Sequence, residues 1–391
     1  MMKKNVLFAF AALIAVSSCT SEINEEGFVD KANSISFNAY SNKSRAEGGV
    51  TGDVDATELK KDKFGVVGYY SNDIYLFTNT NKAVAQKWVE SSSTWEYDKI
   101  GELKFWPKGT MDFYAYFPFS DNATFATTNN SSEAVMTIST TCAHDVLFAY
   151  NGNVSKTDRV PLNFYHAFAK MKELNISMPS TGTLNQSGCQ IEVKEVEFIN
   201  TSTSGDINVN NTGIASYKVA QTNVTLKEAL SSNVTVNNTK PAGALITNAD
   251  NQSKGYFFAT NSAEVKNVIG TGKTMWDGKN GTFSESDKLS NKGLVCLKLT
   301  CKVWNGEDTN KYYYVGGDSS FGEIYIPLKG NTDSDPSTSV TTFDAGKRYI
   351  YNIVMKDNVG FDDKGNPILT PILFKVSSVV GWEDVTVTIT L

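Results

Sequence analysis

Arginine is nearly missing from this chain: Arg45, Arg159 and Arg348 are the only three in 391 residues, although Lys+Arg together number 36. The formal net charge is -6, and no basic block interrupts it. A phosphate-tracking surface needs concentrated positive charge, so nucleic acid is excluded as a partner. Histidine occurs twice. His166 lies between Phe164 and Phe168 on an apolar strand face, as a satisfied core histidine would, and His144 precedes Asp145 in a turn. No GxSxG elbow or HExxH helix accompanies them. Gly317-Asp318-Ser319 sits in a Gly/Ser loop and reads as solvated. Asp333 with Asp335, and Asp362 with Asp363, lack the six or more oxygen ligands that calcium takes. None of the five cysteines forms a CxxC pair, which removes the usual zinc signature. We therefore expect no catalysis, no metal and no cofactor. Helical periodicity is almost absent, Thr225 to Ser231 being at most one short turn. Beyond the N-terminus no apolar run approaches the roughly 20 residues that span a bilayer.

What remains is a chain built for strands. Hydrophobic residues make up 40% and aromatics 12%, enough for two cores at this length. Short alternating runs follow one another: Phe64 to Tyr70, Gln86 to Glu90, Thr94 to Tyr97, Glu102 to Trp106, Met111 to Phe119, Ala134 to Ser139, Asp145 to Tyr150 and Val160 to Ser177. In Met111 to Phe119 the apolar face is Met111, Phe113, Ala115, Phe117 and Phe119, opposite Asp112, Tyr114 and Tyr116. Ser180 to Gly188 is a polar connector and the best boundary. A second series then runs through Gln190 to Asn200, Ala215 to Ala220, Tyr256 to Thr260, Leu294 to Trp304, Lys311 to Val315, Glu323 to Leu328, Arg348 to Lys356 and Ile372 to Leu391. Thr201 to Gly213 and Gly330 to Thr342 read as long surface loops. Many short strands separated by turn signals predict an all-β chain of two β-sandwich domains, over 34–180 and 181–391.

The N-terminus carries an address. Met1 to Lys4 are positive, Asn5 to Val16 are apolar, and Val16-Ser17-Ser18-Cys19 resembles a bacterial lipobox. Residues 1–18 are then a lipoprotein signal peptide, and Cys19 takes the lipid that holds the protein to the outer membrane. Two or three acyl chains make a durable anchor. Residues 19–33 form an acidic tether like that of Bacteroides-type surface lipoproteins. Of the other cysteines, Cys142, Cys189, Cys296 and Cys301, the last two lie five apart in one strand and point to opposite faces, so they do not bridge each other.

Two stretches stand apart from the rest. In Ser34 to Tyr40, Ile35, Phe37 and Ala39 alternate with polar residues, and the following Ser41 to Gly49 is polar and ends in paired glycines. A strand followed by an exposed loop containing Arg45 reads as removable by a cut at Arg45-Ala46. Arg159 and Arg348 adjoin strand-like runs, where extended backbone is shielded. At the other end Val385, Val387, Ile389 and Leu391 alternate with threonines. Such a strand either docks in its own sheet or fills the groove vacated in a neighbour.

FWPKGTMDFYAYFP (105–118), DVLFA (145–149), VPLNFYHAFAKMKE (160–173) and FDAGKRYIYNIVM (343–355) resemble, in the same order, the recurring blocks of the Bacteroidetes fimbrillin-like proteins, the subunits of type V pili. The resemblance implies two transthyretin-like β-sandwich domains in tandem and export as a lipoprotein to the cell surface and its fimbrium. It also implies an arginine-specific processing protease and polymerisation with other fimbrial subunits by strand exchange. By position, Cys19 carries the palmitate-type lipid, Arg45 and Ala46 flank the scissile bond, Ile35, Phe37 and Ala39 belong to the displaced strand, and Val385, Val387, Ile389 and Leu391 to the donor. Two alternatives share the same anchor: a surface glycan-binding lipoprotein that does not polymerise, using an exposed coplanar aromatic pair, and a tip adhesin using the second domain's loops.

Overall fold

A computed structural model describes residues 33–41, 54–77, 82–120, 122–129, 134–141, 144–186, 188–201, 204–219, 224–246, 256–257, 295–328, 330–331, 339–340, 343–357, 360–363, 366, 368, 373–380 and 383–390. The chain is all-β, its one α-helical element among the described residues being the single turn Thr183–Gln186. Residues 35–391 form one compact unit.

The first sheet runs, in spatial order, Phe37–Ser41, Val160–His166, Leu147–Val154, Met111–Phe117, Phe64–Tyr70, Val84–Val89, Thr94–Tyr97, with Asp73–Leu76 also on Phe64–Tyr70. Its two end strands approach each other, so the sheet rolls around a core of Phe37, Phe64, Val66, Phe113, Ala115, Leu162 and Phe164. A four-stranded sheet, Gly213–Val219, Ser204–Asn210, Met136–Thr141, Ala123–Phe125, covers the other face. Between the two sheets lie Val67, Tyr69, Tyr114, Tyr116, Met136, Ile207 and Val209. The middle strands are therefore buried on both faces, including the side of Met111–Phe117 that carries Tyr114 and Tyr116. Gly65 makes room for this, because a Cβ there would stand 2.4 Å from the Tyr116 ring.

A second pair of sheets encloses the largest core. One orders Ala242–Ile246, Ala169–Ser177, Lys347–Val354, Glu383–Thr390, Leu373–Val380, and the other Val224–Val236, Gln190–Thr201, Cys296–Asn305, Tyr312–Val315, with Gly322–Pro327 also on Cys296–Asn305. Met171, Ile176, Val193, Phe198, Leu297, Leu299, Tyr351, Ile353 and Val387 meet between them. The alternating apolar residues of each strand supply these faces. Cys189, Cys296 and Cys301 are buried, and Cys296 and Cys301 are free thiols. Burial pushes the thiols of Cys296 and Cys301 up, which keeps them neutral and unreactive. Cys142 lies outside the described residues.

Several local expectations are revised. Val160 to Ser177 is two strands, Val160–His166 and Ala169–Ser177, which serve different sheets. The break falls at Ala167 and Phe168, whose backbones are engaged by Val146 and Gly346: Ala167 donates to the Val146 carbonyl at 2.8 Å, and Gly346 donates to the Phe168 carbonyl at 2.9 Å. Thr225 to Ser231 is extended, because Val224–Val236 pairs along Gln190–Thr201. The loop expected over 201–213 contains the strand Ser204–Asn210, whose polar side chains bond across to Met136–Thr141: Thr137 Oγ1 to Asn208 Oδ1 at 2.9 Å and Ser139 Oγ to Asp206 Oδ1 at 2.6 Å. The strand expected over Glu102 to Trp106 is replaced by the 3₁₀ turn Ile100–Glu102 and an irregular stretch. Within 330–342, Gly330–Asn331 and Ser339–Val340 pair.

Candidate functional site

Phe37–Ser41 occupies the edge of the first sheet and is held by one ladder, parallel to Val160–His166, with Phe37 opposite Val160, Ala39 opposite Leu162 and Ser41 opposite Phe164. Strand geometry begins at Phe37 rather than Ser34, because the Ile35 N–H bonds to the Lys104 carbonyl (2.8 Å) instead of to the sheet. Val160 in turn donates to the Ser36 carbonyl at 2.7 Å. Ile35 and Phe37 are both 0% exposed, and Ala39 packs at the margin of the same core. The Phe37 ring stands edge-on to Phe113 at 5.5 Å and to Phe64 at 6.4 Å, a favoured aromatic geometry. The outward residues differ sharply, Tyr40 being 50% exposed. An edge strand thus plugs an aromatic trench floored by Phe64, Phe113, Val160, Leu162 and Phe164.

The chain is fixed again where it returns at Val54. Its N–H donates to Asp145 Oδ2 at 3.2 Å, and the same oxygen meets His166 Nδ1 at 2.7 Å. Both side chains of that pair are buried. Next, Asp55 Oδ1 accepts the N–H groups of Thr57 (2.7 Å) and Glu58 (2.9 Å), and Leu59 enters the trench core. Arg45 and Ala46, in the span bounded by these two fixed points, lie outside the described residues, as does Cys19. Arg348 is buried within Lys347–Val354, and Arg159 is half-buried directly before Val160. The sequence reading placed His166 in the core but gave it no partner. The signal was there only as a buried position beside strand ends, because Asp145 is 21 residues away.

The C-terminal strand Glu383–Thr390 is docked in its own chain, parallel to Lys347–Val354 on one side and antiparallel to Leu373–Val380 on the other. Val385, Val387 and Ile389 stand opposite Tyr349, Tyr351 and Ile353, and Val387 is buried in the core. Leu391 lies outside the described residues. The structure therefore does not bring the leading and terminal strands together; they belong to different sheets. Among the described residues the most nearly parallel aromatic pair, Tyr349 and Tyr351 at 29°, is buried, while the exposed Tyr312 meets Tyr314 edge-on at 77°.

A fimbrial protein from Bacteroides vulgatus ATCC 8482 is similar at 13% identity over 91% of this chain and 97% of its own, with a TM-score of 0.42. A fimbrilin from Porphyromonas gingivalis W83 is similar at 12% identity over 92% and 97%, with a TM-score of 0.34. The fimbrial anchor protein Mfa2 from Porphyromonas gingivalis is similar at 10% identity over 58% and 76%, with a TM-score of 0.27. No curated relative matches the sequence. The model of the fimbrillin-like family matches residues 44–284, more than half the length, and on that match the chain belongs to the fimbrillin-like family.

Proposed function

We propose that this fimbrial protein is a subunit assembled by exchange of its leading strand. It is exported as a lipoprotein through Cys19, held on the outer membrane, and cut at Arg45-Ala46 by an arginine-specific protease. The cut frees the strand bearing Ile35, Phe37 and Ala39, and the C-terminal region of a neighbouring subunit, which includes Val385, Val387, Ile389 and Leu391, supplies the replacement. The observation that carries this reading is that Ile35 and Phe37 are wholly buried by a strand attached through a single ladder at a sheet edge. Burying two such side chains is worth about 1.5–3 kcal/mol each, and ladder hydrogen bonds about 1 kcal/mol each. Losing the strand forfeits both, and an incoming strand of the same pattern restores both. An open edge over an apolar trench is otherwise an aggregation hazard.

Limited digestion of the purified precursor with an arginine-specific protease tests it. We expect a new N-terminus at Ala46 together with polymer ladders on gels. Arg45→Ala should give neither, and normal polymerisation of that variant would refute the trigger.

A further inference from the structure

The first pair of sheets leaves a cavity of about 460 Å³ at one end. The ladder that sets Asp206 opposite Ser139 forms one wall. The other comes from segments just outside the first sheet: Pro118 follows Met111–Phe117, and His144 and Val146 precede Leu147–Val154. Ile138 and Val146, which belong to the core between the two sheets, give with Pro118 an apolar floor. The rim is polar, with Ser139 and His144 exposed and Asp206 half-buried. Asp206 Oδ1 accepts the Ser139 hydroxyl at 2.6 Å, while its Oδ2 and the His144 ring take no hydrogen bond among the described residues. We infer that this cavity binds the terminal sugar of an uncharged glycan. The site stands apart from strand exchange, since no residue lining it belongs to the trench core.

The lining chemistry selects this ligand class. The volume falls within the range of about 300–1,000 Å³ that small-molecule sites span. No lysine or arginine lines the cavity among the described residues, which leaves an anionic ligand without a counter-charge. Nor does any group of three metal-ligating side chains come together among the described residues, so the donors that a metal ion needs are not gathered here. A wholly apolar ligand would strip water from the Asp206 carboxylate and the His144 ring without replacing its hydrogen bonds. A pyranose ring meets both demands of the site. Its C–H face lies on Ile138, Val146 and Pro118, and its hydroxyls donate to Asp206 Oδ2 and exchange hydrogen bonds with His144 and Ser139. A hydroxyl donating to a carboxylate makes a charge-assisted bond, the strongest polar contact on offer in this cavity. Asp206 is therefore the residue that orients the sugar.

Saturation-transfer NMR and calorimetry on the full-length protein test this. The probes are the methyl glycosides of glucose, galactose, mannose and N-acetylglucosamine, with glucuronate and spermidine as charged controls. We expect saturable binding of at least one neutral glycoside, with transfer from protein methyl groups to the C–H face of its ring, and no binding of either control. Asp206→Asn, which keeps the side chain's shape and its bond to Ser139, should weaken binding by at least ~10-fold. Ser139→Trp, at an exposed position, should abolish it by filling the mouth of the cavity. Thr137→Ala removes a bond to Asn208 on the same ladder but outside the cavity, and should leave binding unchanged. Unaltered thermal unfolding verifies the fold of each variant. The inference is overturned if no neutral glycoside binds, if spermidine or glucuronate binds as tightly as the glycosides, or if binding survives both Asp206→Asn and Ser139→Trp. Ladder formation after arginine-specific cleavage should be the same for Ser139→Trp as for its parent, so failure of the sugar site leaves the assembly proposal standing.

Discussion

The leading and terminal strands are both short, alternating and apolar on one face, yet they are held in opposite ways. Phe37–Ser41 is an edge strand with one ladder and an aromatic plug; Glu383–Thr390 is an interior strand with two ladders and no aromatic residue. The first attachment combines one ladder with a wholly buried aromatic side chain, and the second combines two ladders with the buried Val387. Under the proposed exchange, a strand of the first kind leaves when its chain is cut and another plug arrives. One of the second kind leaves only when two ladders are broken. In that exchange, edge position and plug shape, rather than apolar content, mark the leading strand as the one that is removed.

The largest effect that would break this comparison is at the plug. Phe37→Ala should destabilise the precursor by about 3–5 kcal/mol in denaturant unfolding, because the ring is wholly buried among other rings. Asn38→Ala, on the outward side of the same strand, should stay within about 0.5 kcal/mol. Equal effects would mean that the strand is held by its ladder, as the terminal strand is. Next comes Val387→Ala in the terminal strand, expected to cost about 2 kcal/mol from lost burial and a residual cavity. Hydrogen exchange sharpens the contrast: amides of Glu383–Thr390 should be protected on both ladders, and those of Phe37–Ser41 on one.

The difference between these strands was only partly readable from residue order. Alternation identified both, and it placed Phe64–Tyr70 and Thr94–Tyr97 to the residue, because each is bounded by turn residues and pairs with a sequence neighbour. Which strand sits at an edge depends on partners 120 residues or more away, such as Val160 for Phe37, and no local pattern records that. The same blindness turned Ser204–Asn210 into a loop, since its Ser, Asp and Asn side chains look solvated until Ser139 and Thr137 are brought opposite them. Alternation puts Tyr114 and Tyr116 opposite the apolar face of Met111–Phe119, and only the fold reveals what lies over them. A second sheet covers these two, and their hydroxyls find Asn129 Oδ1 at 2.9 Å and the Ser120 carbonyl at 2.6 Å. Of the candidate site, the inward series Ile35, Phe37, Ala39 was legible, and the Asp145–His166 support was not.

That support yields a smaller effect on the leading strand's side. Asp145→Asn removes the charged acceptor shared by the Val54 N–H and His166, and should cost about 1.5 kcal/mol. Exchange at the Val54 amide should rise while the terminal strand's amides are unchanged. If the terminal strand loosens equally, the two regions are not independent in the way their separate sheets indicate.

The smallest effect concerns the far rim of the trench, where Thr94–Tyr97 approaches the leading strand. Asp98, just beyond it, receives Lys63 Nζ at 2.8 Å and lies 3.5 Å from Lys87 Nζ. The hydrogen bond from Lys63 holds its carboxyl below the ordinary carboxylate range, despite some opposing desolvation, with Lys87 adding to the pull. A carboxyl depressed in the folded state stabilises above its unfolded value, and that contribution is lost as pH falls through the lower folded value. The loss therefore lies below about pH 4. Because the site is close to solvent, about 0.5 kcal/mol is at stake. Asp98→Asn should lower the denaturation midpoint slightly at pH 7, and the difference should shrink as pH falls below about 4. A difference that persists undiminished at pH 2 would mean that Asp98 fixes the rim through neutral hydrogen bonding. Ion pairing would then have no part in shaping the side of the trench against which the leading strand closes.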